Sequence, residues 1–232
     1  MRRCKCALAM LLAGMTIAIS ISFPLEASPG SRSNQPSVVI KLAGLFKKRV
    51  RSGGTRSGSV CVVTPDLGGE RQLWSDRPVI VWREGNVARV QVRLADSKTL
   101  VWEQILSGTQ TSATYSGAPL QPGQLYEVVL LDNTGKKLVK EGFLPQFVLL
   151  SVADRTRISQ ALEVEEHQPD NKQETTEEIV AAKVRYLLEQ NLVSDAFQLL
   201  YTTESASPEL KELMQQVVAI ACDDELLSAS SN

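Results

Sequence analysis

Polar and apolar positions change rhythm along the chain, and the changes divide it. From Val60 the period is two. "SVCVVT" (Ser59 to Thr64) predicts a first strand, ended by Pro65-Asp66-Leu67-Gly68-Gly69. "PVIVW" (Pro78 to Trp82) predicts a second, broken by the turn signal Glu84-Gly85-Asn86. In "VARVQVRL" the residues Val90, Val92 and Leu94 share one face, and Gln91 and Arg93 the other. Asp96-Ser97-Lys98 turns the chain into "LVWEQIL" (Leu100 to Leu106). Two more strands are expected, one in "QLYEVVLLDN" and one in "KKLVKEGF" (Lys136 to Phe143), joined through Asp132 to Gly135. Short strands between polar turns predict an antiparallel β-sandwich over residues 60–150.

After Leu150 the spacing becomes helical, so residues 151–232 read as a small helical region and the fold class as α+β. "VADRTRISQALEVEEH" puts Ile158 and Leu162 on one side, and a polar linker follows around residues 166–175. Thr175 or Thr176 can cap the next helix, with Glu177 and Glu178 in its first turn. Ile179, Ala182, Tyr186 and Leu187 give it a three-four stripe. "NLVSDAFQLLY" predicts another helix, with Ser194 or Asp195 near its start. "SPELKELMQQVVAIAC" predicts a last one, with Ser207 as cap and Pro208 in the first helical position. "YLLEQNLVSDAFQLL" is similar to one helical hairpin of a tetratricopeptide-like repeat, but such solenoids need about three units.

The stretch from Leu120 to Tyr126 carries more specific information. Pro122-Gly123 supplies a tight turn, Leu120 anchors it, and Tyr126 can pack its ring inward while its hydroxyl reaches the upstream backbone. That is the tyrosine-corner device, by which a chain crosses between sheets. Together with Trp82, late in an early strand, it makes residues 60–150 resemble fibronectin type III-like and immunoglobulin-like modules. The sheets hold no cysteine pair, so the resemblance excludes an antibody-type domain.

The N-terminal pattern bears on location. Arg2, Arg3 and Lys5 precede an apolar run from Ala7 to Ile21, and Ala27 offers a small residue for cleavage. Residues 1–27 therefore read as a signal peptide, with a retained anchor as the rival. The run is shorter than the roughly 20 residues that span a bilayer. The protein is expected to be exported, to the periplasm or the extracellular space. Residues 28–59, rich in Ser, Gly and Arg, read as a basic flexible leader. Within it "VVIKLAGLFKKRV" puts Val38, Leu42, Leu45 and Phe46 on one helical face. Such a helix either lies on an anionic surface or straps onto the protein itself.

Composition adds little except through its unevenness. The chain has 232 residues, 43% of them hydrophobic, which suffices for a core, and 5% aromatic, so that core leans on aliphatic side chains. There are 25 basic and 26 acidic residues; without residues 1–27 the balance becomes 22 to 25, near −3. No acid lies between Glu26 and Asp66, where Arg32, Lys41, Lys47, Lys48, Arg49, Arg51 and Arg56 all fall. Export leaves Cys61 and Cys222, which either pair in an oxidising compartment or sit as two buried thiols; spacing does not choose.

No catalytic constellation emerges. The single histidine, His167, sits in a polar linker beside Glu165, Glu166 and Asp170, without the i, i+4 histidine partner a helical zinc site uses. There is no Gly-x-Ser-x-Gly, and "RSGGTRSG" lacks the Gly-Lys-Ser ending of a phosphate loop. Glu103, Asp132 and Glu141 lie on or beside strands, as outward-facing polar residues also would. The basic stretch has only Phe46 for stacking, so nucleic acid is not expected. Catalytic residues, metal and cofactor are read as none. Among the tryptophans, Trp82 reads as core, the alternation of Trp102 with Val101 and Glu103 leaves its face open between core and surface, and Trp74, near Arg71 and Arg77, reads as a surface anchor for a partner.

The order of signal peptide, Gly54-Thr55-Arg56 leader, sandwich and "x-Asp-Ala" helical hairpin is similar to a family of exported cyanobacterial proteins known as a domain of unknown function. The resemblance implies an envelope location and no activity. The expected function is a non-enzymatic envelope protein that binds a partner protein or serves as a scaffold. The alternative is attachment to an anionic lipid or glycan surface through Lys41, Lys47, Lys48, Arg49, Arg51 and Arg56.

Overall fold

A computed structural model describes residues 38–50, 60–83, 85–107, 109–166, 175–204 and 206–222. The segment read as a signal peptide, most of the leader including Arg51 and Arg56, and the linker residue His167 lie outside the described residues. The fold is α+β, with two sheets and five helices among the described residues. Strands β1 (Cys61–Thr64), β3 (Val79–Arg83) and β6 (Ser112–Thr114) form one sheet in the order β1-β3-β6. The other has the order β2-β8-β7-β4-β5, from β2 (Gln72–Leu73), β4 (Arg89–Leu94), β5 (Leu100–Ile105), β7 (Leu125–Leu131) and β8 (Gln146–Leu149).

The registers follow from the period-two pattern. Val90 pairs with Leu130 and Val92 with Val128, all four buried, while Arg93 stands opposite Glu127 on the reverse face. Tyr126 is buried and its hydroxyl accepts the Gln121 N–H at 2.8 Å, with Gly123 at φ +79° in the turn between them. The corner thus has the geometry its sequence suggested.

Two strand expectations need correction. The sheets are not wholly antiparallel: β2 runs parallel to β8, pairing Gln72 with Val148 and Leu73 with Leu149. Lys136 to Phe143 is not a strand but a strap with one bridge, Leu131 to Lys137. Asp132 gathers the Thr134 and Lys136 N–H groups at 2.8 and 2.9 Å, which curls the chain, and Val139 is then buried against the sheet core. The place beside β7 is taken by β8, after Pro145.

Strand β3 explains the run "PVIVW". Ile80 and Trp82 enter the core shared by both sheets, with Val62, Val90, Val128 and Phe147. Val79 and Val81 enter a second core with Val63 and the helices. A strand buried on both faces reads as continuously apolar rather than alternating. The result is three layers: helices, the smaller sheet and the larger sheet.

The helices are α1 (Val38–Arg49), α2 (Val152–Glu166), α3 (Thr176–Glu189), α4 (Val193–Tyr201) and α5 (Pro208–Cys222). Thr175 caps α3 in a capping box with Glu178, and the Ser207 hydroxyl accepts the Leu210 N–H at 3.2 Å at the start of α5. The expected flexible leader is corrected for residues 38–50. Leu42, Phe46 and Val50, four apart, form a buried stripe, and α1 packs on α3 and α5. Its apolar face is therefore covered by the protein and not presented to a lipid surface. Nor does a boundary fall at residue 150: α2 to α5 share their core with β1, β3 and α1, and the described residues belong to one compact unit. Cys61 of β1 and Cys222 at the end of α5 are joined by a disulfide, 161 residues apart in sequence.

Two outcomes are expected in urea unfolding of the full chain. Phe46→Ala should cost about 3–5 kcal/mol, as for a fully buried phenylalanine; a change under about 1 kcal/mol would show that α1 is not part of the fold. Replacing both Cys61 and Cys222 by serine should lower stability by about 3–5 kcal/mol, because so long a closed loop restricts the unfolded chain strongly. An unchanged midpoint in oxidising buffer would refute the bridge.

Candidate functional site: helix α4 and the groove beside it

Helix α4, "VSDAFQLLY", carries three polar side chains that face inward, which requires partners. The Ser194 hydroxyl donates to the Pro65 carbonyl at 2.7 Å and accepts the Leu67 N–H at 3.0 Å. Asp195 accepts the Trp74 N–H on one oxygen and the Ser75 N–H on the other, both at 2.9 Å. The Gln198 side chain accepts the Val79 N–H at 3.1 Å and donates to the Arg77 carbonyl and the Ser75 hydroxyl at 3.2 Å. One helix thus fixes the loops on both sides of β2. Arg155 of α2 adds to this by donating to the Trp74 carbonyl at 2.9 Å and pairing with Asp76 at 2.9 Å.

This arrangement corrects the reading of Trp74. Its indole N–H is donated to Ser159 at 3.1 Å and to the Arg155 carbonyl at 3.3 Å, and its backbone is tied to Asp195 and Arg155. Half-buried, it anchors loop to helix within the protein. Asp195 is fully buried, and that burial pushes its carboxyl up to about 6; the two N–H donors and then Arg155 pull the other way.

A neighbouring face of α4 is aromatic. Phe197 and Tyr201, ring centroids 6.0 Å apart, line a groove of about 430 Å³ with Met214, Val218 and Ala219 of α5. Arg83 from β3, Lys211 and Gln215 complete it, and among the described residues no carboxylate lines it. The Arg83 guanidinium donates to the Cys222 carbonyl at 3.5 Å, so a cation stands near the C-terminal end of α5. The volume lies within the range of ligand pockets, and an apolar floor with cationic margins suits an amphipathic segment bearing carboxylates.

The other expected residues are dispersed. On α1, Lys41, Lys47 and Lys48 are exposed, whereas Arg49 is half-buried and donates to the Asn191 side chain. Lys41 and Arg185 line a cavity of about 250 Å³ with Glu178; Lys48 and Arg49 line a polar one of about 500 Å³ with Glu70 and Asn191. The carboxylates Glu103, Asp132 and Glu141 occupy separate settings. Glu103 accepts from Gln91 and lies 3.6 Å from Arg89, Asp132 closes its own turn, and Glu141 pairs with Lys137 and, at 3.7 Å, with Lys98. Hydrogen bonds from Thr134 and from Lys137 hold the Asp132 and Glu141 carboxyls below their ordinary range. Sequence reasoning passed over Glu127, almost fully buried and 2.7 Å from the Lys98 ammonium; its place in "LYEVVLL", opposite Arg93, was the signal. Among the described residues no cluster of three His, Cys, Asp or Glu side chains could hold a metal, and no helix is long and apolar enough to cross a membrane.

No family model matches the chain, and no curated protein shows significant similarity to it.

Asp195 leads to a signed expectation. Its folded-state value lies above the ordinary 3.8, so its contribution to stability is complete below about pH 4 and is lost as pH rises through about 6. Measured against Asp195→Asn, which does not titrate, the stability of the native chain should fall by on the order of 3 kcal/mol between about pH 4 and pH 7. Parallel pH profiles of the two proteins would refute it.

Proposed function

We propose that this is an exported, non-enzymatic envelope protein. Its paired sheets form an immunoglobulin-like or fibronectin III-like platform, and its C-terminal helices dock a partner protein. The observation that carries the reading is the α4–α5 groove: an apolar floor of Phe197, Met214 and Val218 open at the surface between Arg83 and Lys211. The polar face of the same helix is committed to holding the sheet loops, which leaves the groove side available for recognition. Export, to the periplasm or the extracellular space, and kinship with the cyanobacterial domain family rest on the N-terminal pattern and the leader. No cofactor and no nucleic acid enter this reading.

The alternative is attachment to an anionic lipid or glycan surface through the basic leader. The exposure of Lys41, Lys47 and Lys48 favours it. Because the apolar face of α1 is buried, such attachment would be electrostatic alone, about 1 kcal/mol per cation, and would fade with salt.

Capture from an envelope extract separates the two. Val218→Asp, at a half-buried position of the groove, should reduce partner retention at least tenfold at both low and high salt. The triple variant Lys41→Glu, Lys47→Glu, Lys48→Glu should leave it unchanged. Loss with the triple variant and retention with Val218→Asp would overturn the docking reading in favour of the surface one.

A further inference from the structure

We propose that the exposed edge of the larger sheet, strand β5, joins two copies of this chain by antiparallel pairing, with Gln104 of each copy at the two-fold axis. The sheet order ends at β5, which among the described residues is bonded on one side only, to β4. Its sequence, "LVWEQI", has neither the proline nor the lysine that usually blunts an edge. Ile105 is 73% exposed, the most of any large apolar side chain among the described residues, and Leu100 is 51% exposed. The edge shares no residue with the α4–α5 groove, so the inference goes beyond the docking reading and does not depend on it.

Backbone direction selects the register. Val90 pairs with Gln104 and Val92 with Trp102, and the Leu106 N–H donates to the Ala88 carbonyl at 2.9 Å. The backbone groups of Trp102, Gln104 and Leu106 therefore turn toward β4, and those of Glu103 and Ile105 turn outward. This free run is bounded at both ends. A register shift opposite Val92 and Arg93 interrupts it before Trp102, and the Ser107 N–H is taken by the Gln110 side chain at 3.2 Å. An axis at Gln104 pairs Glu103 of each copy with Ile105 of the other, so the N–H and C=O groups of both residues all find partners. Neighbouring axes fail: at Glu103 two carboxylates would stand opposite each other, at Trp102 the bulge would enter the ladder, and at Ile105 the engaged Ser107 would face Glu103.

Charge and apolar surface fit the same register. Arg89 of β4 stands beside Ile105, is half-exposed, and lies 3.6 Å from its own Glu103. The other copy's Glu103, opposite Ile105, comes two strand spacings or about 10 Å from that arginine, within the joint span of the two side chains. On the core-facing side Trp102 meets Leu106 of the other copy, and both are only partly buried in one chain.

Sedimentation velocity of the full chain from about 1 μM to about 500 μM covers the affinities of so small an interface. A dimer in concentration-dependent exchange with monomer is expected. Ile105→Lys, at an exposed side chain, should weaken association at least tenfold with an unchanged unfolding midpoint. Cross-linking reads the register. In a background of Cys4→Ser and Cys6→Ser, Gln104→Cys should give a disulfide-linked dimer in oxidising buffer, because residues opposite each other at the axis lie about 4.5 Å apart at Cα. Glu103→Cys should not, since its two copies would be offset by two residues and out of disulfide reach. A chain that stays monomeric over the whole range overturns the proposal, as does a dimer that Ile105→Lys leaves intact or one cross-linked by Glu103→Cys alone. A monomeric chain that captures an envelope protein and loses it with Ile105→Lys also overturns it, by giving the edge to a foreign strand.

Discussion

Strand β3 has no face for water, and the rest of the molecule is arranged around that constraint. Ile80 and Trp82 require the larger sheet, and Val79 and Val81 require the helices. Burying an aliphatic or aromatic side chain is worth about 1.5–3 kcal/mol, so uncovering either face of β3 would forfeit several such contributions at once. The sheets and the helices are for this reason interdependent. The disulfide between β1 and α5 and the docking of α1 on α3 and α5 close the same assembly from its two ends.

Covering the helix-facing side of β3 creates a second requirement, because the loops around β2 bring backbone N–H groups against α4. Each would cost about 1–3 kcal/mol if buried without an acceptor. Ser194, Asp195 and Gln198 meet the N–H groups of Leu67, Trp74, Ser75 and Val79. A buried carboxylate is a costly acceptor, and burial accordingly pushes the Asp195 carboxyl upward. What resembles an acid held ready for chemistry is a structural clip: both of its oxygens accept backbone N–H groups.

The division of labour within α4 also shapes the functional reading. Nine residues hold the polar clip and, on a neighbouring face, Phe197 and Tyr201 of the groove. An apolar groove with cationic margins is suited to an amphipathic segment bearing carboxylates.

The strands β1, β3, β4, β5 and β7, the tyrosine corner and the caps at Thr175 and Ser207 were legible because each depends on a local period or on residues a few positions apart. The stripe of Leu42, Phe46 and Val50 was legible as an amphipathic helix, but a local period states only which face is apolar and not what covers it. Tertiary structure decided that α3 and α5 cover it, that Trp74 turns inward to Ser159, and that β2 joins β8 in parallel. It likewise brought Cys61 to Cys222 and Arg83 to the end of α5. The α4 bonds to the sheet loops span some 119 to 129 positions of sequence. Apart from the Ser75 hydroxyl, their partners in the loops are backbone N–H and carbonyl groups that nearly any residue would supply, so no residue pattern could have announced them.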